Sequence, residues 1–131
     1  MISSSSMKKV VGFLALITVM VPSFAFAYSA GFVFDFKHQL TSKNYCTMGP
    51  DVKIQLEVAS KSKAGSNYPI KVTLYRKGIV FDDKLSTQSY PSDIGKSTTK
   101  TWSGVGKATY YFIMNKENDG VTYRGTGRIF D

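Results

Sequence analysis

The chain has a single cysteine, Cys46, so no disulfide can close within it. A small domain without that staple must draw its stability from its core, and Cys46 is expected as a small buried hydrophobe. Histidine is equally scarce: His38 is the only one. Any Ser-His-Asp or Cys-His arrangement would have to use it, yet strand alternation puts the nearby acid Asp35 on the opposite face. No motif around Cys46 marks a nucleophile. One Cys and one His are too few for a structural zinc site. Asp82-Asp83 and Asn118-Asp119-Gly120 offer oxygens to calcium, but they sit where turns already favour Asp, Asn and Gly. Gly125-Thr126-Gly127 lies in a strand with no helix behind it, so it forms no phosphate loop. The sequence therefore implies no catalytic residue, no cofactor and no metal.

Long apolar runs are missing as well. The longest, Val10 to Val21, has twelve residues, short of the roughly 20 that cross a bilayer. Lys8 and Lys9 precede it, Pro22 ends it, and Ala25-Phe26-Ala27 supplies small residues for a peptidase. This is the pattern of a cleavable signal peptide over residues 1–27, with Met7 as its natural start. Export would leave one secreted domain, residues 28–131, with no transmembrane anchor. Cys46 is too far from the cleavage site to carry a lipid. An exported domain free of disulfides fits a bacterial source, Gram-positive in particular. Removing Lys8 and Lys9 leaves fifteen basic against nine acidic residues, a net charge of +6. That balance favours polyanionic partners such as cell-wall polymer, without specific nucleic-acid binding; plain solubility explains it equally well.

Period-two alternation fills the rest. Phe32, Phe34 and Phe36 alternate with Val33, Asp35 and Lys37, and Val52, Ile54, Leu56 and Val58 alternate with Lys53, Gln55, Glu57 and Ala59. Ile70, Val72 and Leu74 repeat the pattern, Leu85 to Tyr90 reads as a weak edge strand, and Lys96 to Trp102 reads as extended. Thr41 to Pro50 and Ser60 to Asn67 read as loops, the second cationic. Arg76-Lys77-Gly78 turns the chain into a short apolar run, Ile79 to Phe81, which Asp82-Asp83 ends. Turns recur about every ten residues without helical periodicity, which predicts a small antiparallel all-β sandwich of about seven strands.

Two aromatic runs flank Glu117-Asn118-Asp119-Gly120, and Lys107 to Phe130 therefore reads as a hairpin. In the simplest register Phe112 faces Gly125 and Tyr110 faces Gly127, laying rings over bare backbone. Gly106-Lys-Ala-Thr-Tyr110-Tyr-Phe resembles the entry to the penultimate strand of immunoglobulin-like sandwiches. The resemblance implies a sandwich and no function, and this chain lacks that fold's cysteine pair. Trp102 is expected in the core near this hairpin.

Binding residues are sought among cations and aromatics. Lys53, Lys61, Lys63, Lys71, Arg76, Lys77 and Lys84 form a candidate surface for an anionic partner, and Trp102 and Tyr111 are candidate aromatic contacts. Solvated strand faces account for the same lysines, and burial on both faces of a central strand accounts for the aromatics. The reading is a non-catalytic exported protein that binds at the cell envelope or beyond it. Its rivals are a secreted toxin or antimicrobial protein acting on anionic envelopes, and a small secreted hydrolase.

Overall fold

Alternating apolar residues become strands throughout. The computed structural model describes residues 28–131, and among them are nine strands and no helix: β1 (Ser29–Phe36), β2 (Gln39–Thr41), β3 (Tyr45–Met48), β4 (Val52–Lys61), β5 (Ile70–Arg76), β6 (Asp83–Tyr90), β7 (Ser97–Trp102), β8 (Ala108–Asn115) and β9 (Tyr123–Phe130). The signal peptide expected over residues 1–27 lies outside the described residues.

The strands form two antiparallel sheets. One has the order β1-β9-β4-β7; the other has the order β2-β8-β5-β6, with β3 continuing the β2 edge against β8. Consecutive strands mostly alternate between sheets, and among the described residues only β5 and β6 are sequence neighbours that pair with each other. The inner faces meet in one core. Phe34, Phe36, Ile54, Leu56, Trp102, Tyr123 and Ile129 come from the first sheet, and Tyr45, Ile70, Val72, Leu74, Tyr90, Tyr110, Phe112 and Met114 from the second. Polar tips of core aromatics tie the layers. Tyr90 Oη donates to Ile54 O (2.7 Å) and Trp102 Nε1 to Ser86 O (2.8 Å), so both rings are buried with their donors satisfied. Tyr110 Oη reaches back to the carbonyls of Val105 (2.8 Å) and Gly106, fixing the entry to β8.

Several expectations are corrected. The β8–β9 segment is not a hairpin: β8 belongs to one sheet and β9 to the other, where it lies between β1 and β4. Period two states which residues face the core and is silent on which strand lies alongside, so an arch between facing sheets carries the same signature as a hairpin. The covered glycines are real but the rings come from β1. Gly125 pairs with Phe34 and Gly127 with Phe32, and a methyl group at Gly125 would collide with the Phe34 ring and the Glu57 carbonyl oxygen. The segment read as the Thr41–Pro50 loop contains β3, which buries Tyr45 and Met48. Register slips between those two residues, breaking the alternation a reader would look for. Cys46 is exposed, not buried. Nine strands replace about seven.

Candidate functional site

The β5–β6 hairpin turns through Lys77-Gly78-Ile79-Val80-Phe81-Asp82, and its apolar residues point outward. Ile79 is 104% exposed, Val80 78% and Phe81 83%. Scattered apolar residues on a surface are ordinary; three in succession at one turn are not.

The turn is braced from behind. Asp82 Oδ1 accepts the Gly78 N–H (3.2 Å), and Asp82 Oδ2 accepts the Tyr111 hydroxyl from the neighbouring strand β8 (2.7 Å). Lys77 Nζ lies 3.6 Å from Asp82 Oδ2 and 5.6 Å from the centre of the Tyr111 ring. Tyr111 in turn stacks on Tyr75, with centroids 5.1 Å apart and planes within 6°. Gly78 has a steric role, because a Cβ there would sit on the Phe81 carbonyl oxygen. At the root of the hairpin Arg76 holds Asp83 through Nη2 (2.9 Å) and Nε (3.2 Å), and its Nη1 donates to Val105 O (2.6 Å).

The electrostatics follow from these contacts. The Tyr111 hydrogen bond, then the Gly78 N–H, hold the Asp82 carboxyl below its ordinary range. Asp82 reciprocally pushes the Tyr111 hydroxyl up to about 12, since ionising it would lose the bond and set two anions together. Asp82 thus turns back onto Gly78, Lys77 and Tyr111, while Asp83, though 61% exposed, is paired with Arg76. The apolar side chains of the turn face out.

Of the residues singled out in the sequence, this end of the molecule gathers Arg76, Lys77, Lys84 and Tyr111. Lys84 pairs with Tyr75 across β5 and β6, and Tyr75 pairs with Tyr111, so the three share the outer face of the sheet. The others lie elsewhere. Lys71 stands further along β5, and Lys53 is on the opposite sheet with its ammonium 5.9 Å from the Phe130 ring. Lys63 is exposed in the β4–β5 loop. Lys61 closes β4, bonded to Ser66 O and lying over the Tyr123 ring at 5.0 Å, and so serves the fold. Trp102, 3% exposed, is a core residue and offers no ring to a ligand. Ile79 to Phe81 were legible as an apolar run, and their bracketing by Lys77-Gly78 and Asp82-Asp83 was the available sign that they form a turn.

The opposite end holds a buried polar cluster. Lys116 Nζ is fully enclosed, 2.7 Å from Asp119 Oδ1 and 4.5 Å from the Tyr123 ring centre. Ser66 Oγ bonds both Asp119 Oδ2 and Tyr123 Oη, each at 2.7 Å. Lys116 first, and Ser66 next, hold the Asp119 carboxyl far below its ordinary range. Every member has a partner, and the cluster locks the β8–β9 arch. Beside it lies an open hollow of about 340 Å³ lined by His38, Tyr68, Lys71 and Glu117 among others. His38 Nδ1 is spent on the Lys116 carbonyl (2.8 Å).

The chain matches no known protein family and no characterised relative. Among solved structures it is similar to the Yersinia pseudotuberculosis-derived mitogen, at TM-score 0.44 and 11% identity over 79% of this chain and 84% of that one. It is also similar to a protein of the disulfide-linked pili of Bacillus endospore appendages, at TM-score 0.38 and 12% identity over 79% and 86%. A third similarity is to a protein of infectious bursal disease virus, Gx strain, at TM-score 0.37 and 7% identity over 79% of this chain and 31% of that one.

Proposed function

We propose that this is a non-catalytic, exported bacterial β-sandwich of immunoglobulin-like character that binds an anionic partner at the cell envelope or beyond it, through its β5–β6 end. One observation carries the reading: three large apolar side chains are exposed in succession on a turn that Asp82, Gly78 and Tyr111 brace. Exposing apolar surface opposes folding, so a turn organised to do so serves contact with something else. Exposed Lys77 and Lys84 at this end add the attraction to a polyanion, and Lys63 and Lys71, which lie away from it, contribute only through the net charge. The return bond of Tyr110 supports the immunoglobulin-like assignment. Export rests on the residue pattern before Tyr28, and N-terminal sequencing of culture supernatant should read Tyr28 first.

The test is retention on isolated bacterial envelopes. The wild-type domain should sediment with them, less as salt rises, because exposed charge is screened over about 10 Å at 0.1 M. The double variant Ile79→Ser/Phe81→Ser should keep its melting temperature and lose retention. Equal retention of both proteins would remove the β5–β6 end from the binding surface.

A further inference from the structure

We infer that the Ile79-Val80-Phe81 turn is a membrane-interface anchor, and that its partner is the surface of an anionic lipid bilayer. The inference rests on the proposed function and names the partner of the same site. Three observations favour a bilayer over a protein.

The first is shape. The apolar residues sit on a convex hairpin tip, exposed to 78% or more, and the residues flanking them are Lys77, Asp82, Asp83 and Lys84. A stable protein partner needs about 800 Å² from each side with close complementarity. A bilayer takes up a small convex apolar tip without a matching pocket.

The second is the arrangement behind the tip. Asp82 turns back onto Gly78, Tyr111 and Lys77, and Asp83 is paired with Arg76. No carboxylate need be carried into the headgroup region without a partner. The stacked rings of Tyr75 and Tyr111 stand at the base of the turn with Lys77 and Lys84 around them. Tyrosine rings and long cationic side chains are the groups that settle at headgroup depth, the ammonium reaching lipid phosphate while the stem lies against apolar surface.

The third is where the chain enters the domain. Arg76 bonds Val105 O; Val105 and Gly106 donate to Pro50 O; Gly49 N–H reaches Asp131 Oδ2; and Asp131 Oδ1 accepts from Tyr28 N. This chain of contacts puts Tyr28, where the polypeptide enters the domain, at the same end as the tip. While the segment before Tyr28 is still attached during export, the apolar turn therefore lies on the side of the domain from which that segment emerges.

Vesicle flotation tests the assignment. The domain should float with phosphatidylcholine vesicles containing phosphatidylglycerol and only weakly with phosphatidylcholine alone. In Ile79→Ser/Phe81→Ser, with an unchanged melting temperature, partitioning should fall by about tenfold or more, the scale for removing two interfacial apolar side chains. Gly78→Ala, which leaves every exposed side chain in place but disturbs the turn, should weaken flotation too. Failure of the wild type to float, or equal flotation of the serine variant, overturns the inference. If vesicles fail while envelopes still retain the protein through the tip, the partner is an envelope protein or polymer, and the proposed function stands without the bilayer. If tip-dependent binding is absent from both, both readings fall.

Discussion

The Tyr111 hydroxyl donates to Asp82 Oδ2 at 2.7 Å, joining a central strand to a turn 29 residues away in sequence. The bond couples the two titrations. Tyr111 is raised to about 12, above the value near 10 of an unfolded tyrosine. Its contribution to stability is therefore complete below about pH 10 and is lost as pH rises through the folded value. Asp82→Asn should return the Tyr111 titration toward about 10. Absorbance of tyrosinate, with Tyr111→Phe to assign the signal, measures the change.

Asp119 carries the opposite sign. Its folded value is depressed, so its contribution is present above about pH 4 and fades as pH falls toward the folded value. Asp119→Asn should melt below the wild type at pH 7, because it weakens the hold on the enclosed Lys116 ammonium. The gap between the two should narrow as the pH is taken below about 4. Thermal melts at both pH values check this. Adding Lys116→Met to Asp119→Asn should recover part of the loss, since the buried cation is then gone as well.

Trp102 links the layers by packing and by its bond to Ser86 O. Trp102→Ala should cost about 3–5 kcal/mol, the range for emptying a buried aromatic site. Chemical denaturation gives the value directly. A change within experimental error would mean that the ring does not contribute to the core.

Gly125 lies under the Phe34 ring and against the Glu57 carbonyl. Gly125→Ala should destabilise by about 1–3 kcal/mol, as overpacking does. Phe34→Leu in the same chain should relieve part of that cost. Additive effects of the two substitutions would show that the ring and the glycine are independent.

Much of the architecture was readable in the sequence. Val52 to Val58, Ile70 to Leu74 and Phe32 to Phe36 alternate without interruption, and each is a strand with the expected face inward. Neighbours were not readable. Phe112 and Tyr110 had the right spacing to cover Gly125 and Gly127, and so did Phe34 and Phe32, which do. Spacing alone cannot choose between two equally spaced aromatic pairs. Cys46 escaped because a slip between Tyr45 and Met48 breaks the alternation around it. The site was half legible. Ile79 to Phe81 are as apolar as a core strand; their bracketing by Lys77-Gly78 and Asp82-Asp83 marks a turn, but not the brace that Tyr111 gives it through Asp82. Local pattern carries no record of such a brace.

Oxidative footprinting on isolated envelopes addresses the contact surface most directly. In the free protein, exposed Phe81 and Ile79 should label readily, as should exposed Tyr68 at the far end of the sandwich. With envelopes present, labelling of Phe81 and Ile79 should drop several-fold while Tyr68 is unchanged. An envelope-bound protein whose Phe81 still labels at the free rate would contradict the assignment of the β5–β6 turn as the binding surface.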